Sequence, residues 1–262
     1  MSKLICQLYG FRNEIAKDPY TCFKKIREIG FEQVQLDGMR GHSPQVIKDA
    51  LDKAGLTVSS MHIKHQRFIN DVDGIMEEGD LFQCKEVYLK YIEDEFQVEY
   101  GYKFTKYALM KAAKVLMENG YEVGFHSPEY DFNTVVDGKK VMDYICEEDQ
   151  GIQIHPEPDT YWLSVAKVDP LAYCKHYAGR ILTLHMKDID TSKDLMDMHE
   201  NLKECGKGNV DFRSLMKWGL ENDVRSFAIE QDYSKIGMYE SMKQSYEYLR
   251  KIEEELTAEA VR

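Results

Sequence analysis

The stretch His155-Pro156-Glu157-Pro158-Asp159-Thr160-Tyr161-Trp162 places polar side chains directly after a short apolar run. Two later runs end in the same way, at His185 within Leu-His-Met-Lys-Asp and at Glu230 within Ile-Glu-Gln-Asp. A carboxylate, an imidazole and a second carboxylate are the mixed ligands that a divalent metal ion takes up. A metal site at these residues requires a fold that brings Asp159, His185 and Glu230 close together.

Short β-rich runs alternate with segments of helical period along the whole chain, which predicts parallel strands joined by crossover helices. Eight such units close into a (β/α)8 barrel of the α/β class, and one domain over residues 1–262 fits the length of such barrels. The predicted strands cover residues 4–9, 33–36, 57–63, 86–91, 122–126, 152–155, 181–186 and 226–230.

The helices are bounded by recognisable signals, and two segments interrupt the pattern. Gly55 suits a left-handed cap at the end of the second helix, and the last helix is predicted over about residues 238–255. Residues 71–80 are acidic and predict a frayed third helix. Residues 188–210 are too long and polar for an ordinary connection, so we expect a lid or binding loop there.

Composition limits the classes of partner. The net charge of −12 and the pI near 5.2 disfavour a nucleic-acid partner, because such proteins concentrate Lys and Arg against phosphates. No apolar run approaches the roughly 18 residues of a membrane helix, and the first residues resemble a strand rather than a signal peptide. Six cysteines without metal-ligand spacing fit reduced, buried thiols, so we expect a cytoplasmic protein.

Five polar residues lie at or just after predicted strand ends, where the active sites of parallel barrels lie. They are His62, His126, Asp159, His185 and Glu230. Each has a structural alternative: Asp159 could cap a helix, and His185 could bond to a strand carbonyl. We favour a metal site, since the strand order brings Asp159, His185 and Glu230 to one side of the barrel mouth.

Two lysines bear on these alternatives. Glu230 could instead form a salt bridge with Lys187 or Lys64. Lys187 lies two residues after His185 and therefore points to the same side of the strand, where it can reach a substrate oxygen; the alternative is a surface lysine.

At these residues the chain resembles the xylose isomerase-like barrels, which include sugar phosphate isomerases/epimerases, inosose dehydratases and endonuclease IV. It is most similar to the bacterial sugar phosphate isomerase/epimerase group, and the resemblance covers almost the whole chain in the family's order. The stretches that carry it are Gln7-Leu8-Tyr9, Lys17-Asp18-Pro19, Val123-Gly124-Phe125-His126, Asp159-Thr160-Tyr161-Trp162, Asp169-Pro170, Gly179-Arg180-Ile181, His185-Met186-Lys187-Asp188, Gly206-Lys207-Gly208-Asn209-Val210-Asp211-Phe212 and Glu230-Gln231-Asp232.

The resemblance implies a divalent ion of the Mn²⁺, Mg²⁺ or Zn²⁺ type. The family's ligands are a Glu after strand five, an Asp after strand six, a His after strand seven and a Glu after strand eight, and the last three match Asp159, His185 and Glu230. The first position reads His126 here, with Glu129 as a nearby alternative for the fourth ligand.

The resemblance also implies an isomerase or epimerase that abstracts a proton next to the carbonyl of a small sugar or keto-sugar, through an enediolate. Glu230 or His126 would be the base and Lys187 the acid on the carbonyl oxygen. The expected substrate contacts are His62, Trp162, Phe125 and Glu157.

Rival functions stay open at this stage. A keto-sugar dehydratase or lyase shares the chemistry up to the enediolate, and the absence of the strand-five Glu leaves that reading open. A non-catalytic barrel could bind a sugar or a partner subunit, and homo-oligomers are common among such barrels. An abasic-site endonuclease would need further zinc ligands and a basic face, which this acidic chain does not offer.

Overall fold

Eight parallel strands form the centre of the molecule in the computed structural model, which describes residues 2–260. They follow the order β6-β5-β4-β3-β2-β1-β8-β7, and a single bridge between Asp159 and His185 spans the gap from β6 to β7. The predicted architecture is confirmed as a nearly closed (β/α)8 barrel. The strands are β1 Leu4–Gln7, β2 Gln33–Leu36, β3 Thr57–Ile63, β4 Glu86–Leu89, β5 Glu122–His126, β6 His155–Glu157, β7 Thr183–Met186 and β8 Ser226–Ile229.

The prediction for strand six was wrong in its position. Residues 152–155 were expected, but Ile152 pairs with Asp149 in an antiparallel bridge, and the ladder to β5 begins with His155 opposite Gly124. Pro156 is tolerated within β6, and Pro158 directly after it, because the strand has a continuous ladder on only one side and few of its N–H groups are needed for pairing. Glu157 therefore belongs to the strand itself and not to the loop that follows it.

Helices surround the barrel between successive strands. The segment at residues 71–80 is not frayed, since it lies within a regular helix that begins at Val72, and the last helix continues to Ala260 instead of ending near residue 255. Gly55 adopts the expected left-handed cap, with φ 73° and ψ 35°. The helices are α1 Arg12–Lys17, α2 Pro19–Ile29, α3 Pro44–Ala54, α4 His65–Asn70, α5 Val72–Phe82, α6 Glu99–Glu118, α7 Glu129–Asn133, α8 Val141–Cys146, α9 Thr160–Val165, α10 Pro170–His176, α11 Met198–Asn201, α12 Phe212–Glu221 and α13 Met238–Ala260.

The long connection after β7 is ordered by one buried carboxylate. Its ends pair as a short hairpin, Asp188–Ile189 with Leu202–Lys203. Asp188 accepts hydrogen bonds from the backbone N–H groups of Gly206 at 2.9 Å and Gly208 at 2.8 Å, so the glycine-containing stretch wraps around this side chain. A Cβ at Gly208 would lie 2.3 Å from the Asp188 carboxylate, which explains the glycine there.

Alternate residues of each strand face the helices or the barrel interior. The outward layer is apolar and packs against the helices; Cys6, Val34 and Val123 belong to it. The inward layer is largely polar at the lower end, where Glu86 accepts hydrogen bonds from Tyr88 and Thr183, each at 2.7 Å. No helix within residues 2–260 is both long and apolar enough to cross a bilayer, and the six cysteines are buried and unpaired.

We predict that Gly124→Ala destabilises the barrel. A Cβ at Gly124 would lie 2.2 Å from the ring of Tyr88 and 2.7 Å from the carbonyl oxygen of His155, so the interior would have to shift. Overpacking of this kind lowers the free energy of unfolding by about 1–3 kcal/mol, which urea denaturation followed by circular dichroism measures. The smaller side chain of Tyr88→Leu should recover part of the loss in the double variant, and an unchanged urea midpoint for Gly124→Ala would contradict the packing.

We predict a pH-dependent contribution to stability from Asp131, which is fully buried in α7 and accepts a hydrogen bond from Ser127. Burial raises the pKa of Asp131 to about 7, above its ordinary value of 3.8. The folded state therefore binds more protons between these values, and the free energy of unfolding falls by up to about 1.4 kcal/mol per pH unit as pH rises from 4 to 7. Urea titrations of Asp131→Asn should lack this contribution; an identical pH profile in the variant would refute it.

Candidate active site

The carboxyl ends of four adjacent strands, β5 to β8, bring together the residues predicted to hold a metal. One ligand atom each from His126, Asp159, His185 and Glu230 lies within 4.8 Å of all the others, and all four residues are buried. The described residues thus place the predicted ligands in one cluster. Glu129, the alternative fourth ligand, begins helix α7 and lies outside this cluster.

His126 is held in one orientation by the backbone of the neighbouring strand. Its Nδ1 donates to the carbonyl oxygen of Lys90 at 2.8 Å, since a carbonyl can only accept. The hydrogen therefore resides on Nδ1, and Nε2 presents a lone pair to the site. This Nε2 is buried, has no hydrogen-bond partner within residues 2–260, and lies 3.8 Å from Oδ2 of Asp159.

Asp159 serves two purposes with its two oxygens. Oδ1 caps helix α9 by accepting from the backbone N–H groups of Tyr161 at 2.7 Å and Trp162 at 3.3 Å. Oδ2 is buried without a hydrogen-bond partner among the described residues and lies 3.7 Å from Nζ of Lys187. The helix-cap interpretation of this residue is correct for one oxygen and leaves the other free to bind a ligand.

His185 lies between two carboxylates, which rules out the alternative of a bond to a strand carbonyl. Its Nδ1 is 2.9 Å from Oε2 of Glu230, and its Nε2 is 3.3 Å from Oε1 of Glu157. Burial alone would lower the pKa of His185, but these two carboxylates raise it to about 10. The two carboxylates therefore favour a positive charge at the nitrogens of His185, and either a proton or a metal ion can supply that charge.

Glu157 forms the layer beneath the cluster. It is fully buried and accepts hydrogen bonds from Gln35 and from Nε2 of His62, both at 2.6 Å. Burial lowers the pKa of His62 to about 4, so its ring stays neutral and Nδ1 accepts from Gln7 at 3.3 Å. Glu157 thus orients His62 and His185 from below instead of lining the cleft, where the sequence placed it.

Lys187 is 1% exposed and points into the site, so the surface-lysine alternative is wrong. Its Nζ pairs with Asp232 and lies 3.8 Å from Oε2 of Glu230, whereas Glu230 has no ion pair with Lys64 within residues 2–260. Burial opposes the charge, but the carboxylates, Asp232 first among them, raise the pKa of Lys187 above its ordinary value. The side chain is therefore a cation at neutral pH.

A cleft of about 530 Å³ opens above the cluster. Trp162 and His62, the predicted substrate contacts, line it together with Tyr9 and Tyr91. Phe125 does not reach the cleft, because its neighbour His126 points inward and successive residues on a strand alternate, which places Phe125 in the outer core. A larger depression of about 910 Å³ near Arg250 lies at the opposite end of the barrel and contains none of the clustered ligands.

The donor set fits a divalent metal ion. Nε2 of His126 and Oδ2 of Asp159 are buried without hydrogen-bond partners among the described residues, and such atoms are rare unless a ligand satisfies them. Two imidazoles with two carboxylates suit Mn²⁺ or Zn²⁺, with Mg²⁺ served by the oxygens alone.

Sequence reasoning did not select several polar residues that the structure places at the cleft. Asp232 lies two residues after Glu230 on the same side, which is the spacing that identified Lys187. Lys90 follows β4 by one residue and lines the cleft, and its Nζ lies 2.7 Å from Oδ1 of Asp37, a buried residue that follows β2 by one residue and does not line the cleft. Arg12 is the first residue of α1, and no local sequence pattern marks it as a candidate site residue.

No family model matches the chain. An inosose dehydratase from Clostridium tetani is 21% identical, with 87% of this chain and 88% of that protein covered. A sugar phosphate isomerase/epimerase from Parabacteroides distasonis superposes with TM-score 0.79 at 17% identity over 95% of this chain and 94% of that one. A xylose isomerase-like TIM barrel protein from Mycobacterium smegmatis, in complex with magnesium, gives TM-score 0.70 at 14% identity over 98% and 97%. The chain therefore has the fold of the xylose isomerase-like TIM barrels, as its sequence resemblance implies.

Proposed function

We propose that the protein is a divalent-metal-dependent isomerase or epimerase of sugars or sugar phosphates, which removes a proton next to a carbonyl and passes through an enediolate. The observation that supports this most directly is the convergence of His126, Asp159, His185 and Glu230 with unsatisfied buried donor atoms beside a buried lysine. The similarity in fold to a sugar phosphate isomerase/epimerase and to a magnesium-bound barrel is consistent with it.

The four clustered side chains would hold the ion. When bound, a divalent ion supplies positive charge that polarises a carbonyl oxygen and acidifies the neighbouring C–H group. Asp159 would contribute Oδ2 while Oδ1 keeps capping α9, and His126 would contribute Nε2. His185 would turn one nitrogen to the ion and keep the other against Glu157, an arrangement that orients metal-binding histidines generally.

Glu230 is the base that the geometry favours. A carboxylate has two oxygens, so one can bind the ion while the other accepts the substrate proton, whereas His126 has a single free nitrogen and can do only one of the two. Although burial opposes it, Lys187 and His185 hold the pKa of Glu230 below its ordinary value, so it is ionised and able to accept.

Lys187 would donate to the carbonyl oxygen. It is a buried cation within 4 Å of both Asp159 and Glu230, so it faces the same space as the ligands. Trp162 forms an apolar wall with its ring 4.9 Å from Nζ of Lys187, and this wall excludes water from the developing enediolate.

A dehydratase is the second candidate, and two observations favour it. An epimerase that moves a proton between two faces of a carbon uses two acid–base groups, and here the strand-five position is occupied by His126 and not by a carboxylate. The relative at 21% identity is an inosose dehydratase. In that reaction Glu230 would take the same proton, and Lys187 would protonate a departing β-hydroxyl.

We predict that the protein binds Mn²⁺ and that Asp159→Asn weakens this binding by more than about 100-fold, since substitution of groups that merely orient a ligand already costs about 10- to 100-fold. Isothermal titration calorimetry measures the affinity. The Asn side chain keeps an oxygen that can cap α9. Asp169→Asn is the matched control, because Oδ1 of Asp169 caps α10 by accepting from the backbone N–H of Ala172 at 2.6 Å, away from the cleft. Equal Mn²⁺ affinity in the two variants would argue against the site.

We predict that the Mn²⁺-loaded protein catalyses exchange of solvent deuterium into the carbon next to the carbonyl of a keto-sugar, detected by NMR. Lys187→Gln should lower the exchange rate by about 10²- to 10⁴-fold, the usual contribution of a positioned acid. Lys193→Gln, an exposed lysine in the same connection, is the control. An isomer among the products supports the first function and a dehydrated ketone the second; a panel of keto-sugars that shows neither exchange nor product would reject both.

A further inference from the structure

The cleft differs in charge from the rest of the molecule. The chain carries a net charge of −12, yet the cleft is lined by three cations and two carboxylates. The cations are Arg12, Lys90 and Lys187, and the carboxylates are Glu230 and Asp232. A divalent ion at the base of the cleft would add further positive charge.

Two of these cations already have acidic partners. Lys187 pairs with Asp232, and Nζ of Lys90 lies 2.7 Å from Oδ1 of Asp37. Arg12 differs, because within residues 2–260 it forms no ion pair. Its Nη1 donates to two backbone carbonyl oxygens, of Tyr9 at 3.1 Å and Asp232 at 3.4 Å, and these leave its full charge uncompensated.

Arg12 and Lys90 are gathered on one wall by a single aromatic ring. The guanidinium carbon of Arg12 and Nζ of Lys90 each lie 4.4 Å from the centroid of Tyr9. Tyr9 is in turn fixed through its backbone N–H, which donates to the side-chain oxygen of Gln7 at 2.5 Å. Two like charges held close together are favourable only where counter-charge is available, and the Asp37 carboxylate matches just one of them.

We propose that Arg12, with Lys90 beside it, binds an oxyanion on the substrate, a carboxylate or a phosphate, so that the substrate is an anionic sugar. This rests on the proposed function, because it assumes that the carbonyl end of a sugar lies at the clustered ligands. The Arg12 guanidinium contacts the backbone of Asp232, whose side chain holds Lys187, so the oxyanion would lie on the far side of Asp232 from the reacting carbons.

The chemistry of the guanidinium suits this role. Its two hydrogen bonds within the protein both come from Nη1, which leaves the edge formed by Nε and Nη2 to make paired bonds with two oxygens of one carboxylate or phosphate. Bonds to the carbonyl oxygens of Tyr9 and Asp232 fix the plane of the group in advance, so little side-chain freedom is lost when the anion binds.

The test compares three ketoses that differ only at the carbon farthest from the carbonyl: fructose, fructose 6-phosphate and fructuronate. Calorimetry with the Mn²⁺-loaded protein should give about 10- to 100-fold tighter binding of at least one anionic ketose than of fructose, the gain expected from charge-assisted hydrogen bonds. The anionic ketose that binds more tightly shows whether the cleft recognises a phosphate or a carboxylate.

The variants decide whether Arg12 is responsible. Arg12→Gln should remove the preference for the anionic ketose over fructose, whereas Arg12→Lys should retain part of it. Arg27→Gln removes the same charge from the surface of α2 and is the matched control. The proposal is overturned if neither anionic ketose binds more tightly than fructose, or if Arg12→Gln keeps the preference. Deuterium exchange in the same samples reports separately on the proposed function, because it follows the reaction and not the affinity.

Discussion

A carboxylate sealed inside the barrel, that of Glu157, is the interaction on which the site depends. It joins Gln35 on β2, His62 on β3 and His185 on β7 to its own strand β6. An isolated carboxylate is very unfavourable in such an interior, so the hydrogen bonds from Gln35 and His62 and the nearby His185 ring are needed to stabilise it, and these contacts orient the three side chains. Because β6 and β7 share only one backbone bridge, the ion pair between Glu157 and His185 adds a side-chain connection between them.

The layers above Glu157 follow from strand alternation. Residues two apart on a parallel strand point to the same side, so His185 is followed by Lys187 and Glu230 by Asp232, one step higher towards the mouth. The result is a vertical order: orienting groups at the bottom, the proposed metal ligands above them and the Lys187–Asp232 pair at the level of the cleft. Each level restricts the rotamers of the level above it.

This order explains what the sequence could predict. His126, His185 and Glu230 were found because apolar runs with a polar residue at or next to the strand end mark β5, β7 and β8, although β8 was predicted one residue too long and ends at Ile229. Strand β6 was misplaced because Ile152 and Ile154 form a short apolar run before two prolines, and the ladder there is decided by the neighbouring strand and not by local preference. Arg12 and Lys90 could not be found in this way, since their positions depend on contacts with Tyr9 between separate loops.

The charges of the site form one connected network, and their sum constrains what can bind. Contacts run from Arg40 through Asp37 to Lys90 and His62, then through Glu157 and His185 to Glu230, Lys187, Asp159, Asp232 and Arg12. Four basic side chains thus meet five carboxylates, and His185, whose pKa is raised to about 10, adds the positive charge that balances them without a metal. A divalent ion that displaced the proton of His185 would leave a net charge of +1. A buried excess of one positive charge is unfavourable in a site of low polarity. The proposed anionic substrate would remove that excess, which a neutral sugar could not do, so metal loading and recognition of the anion would stabilise each other through the same network.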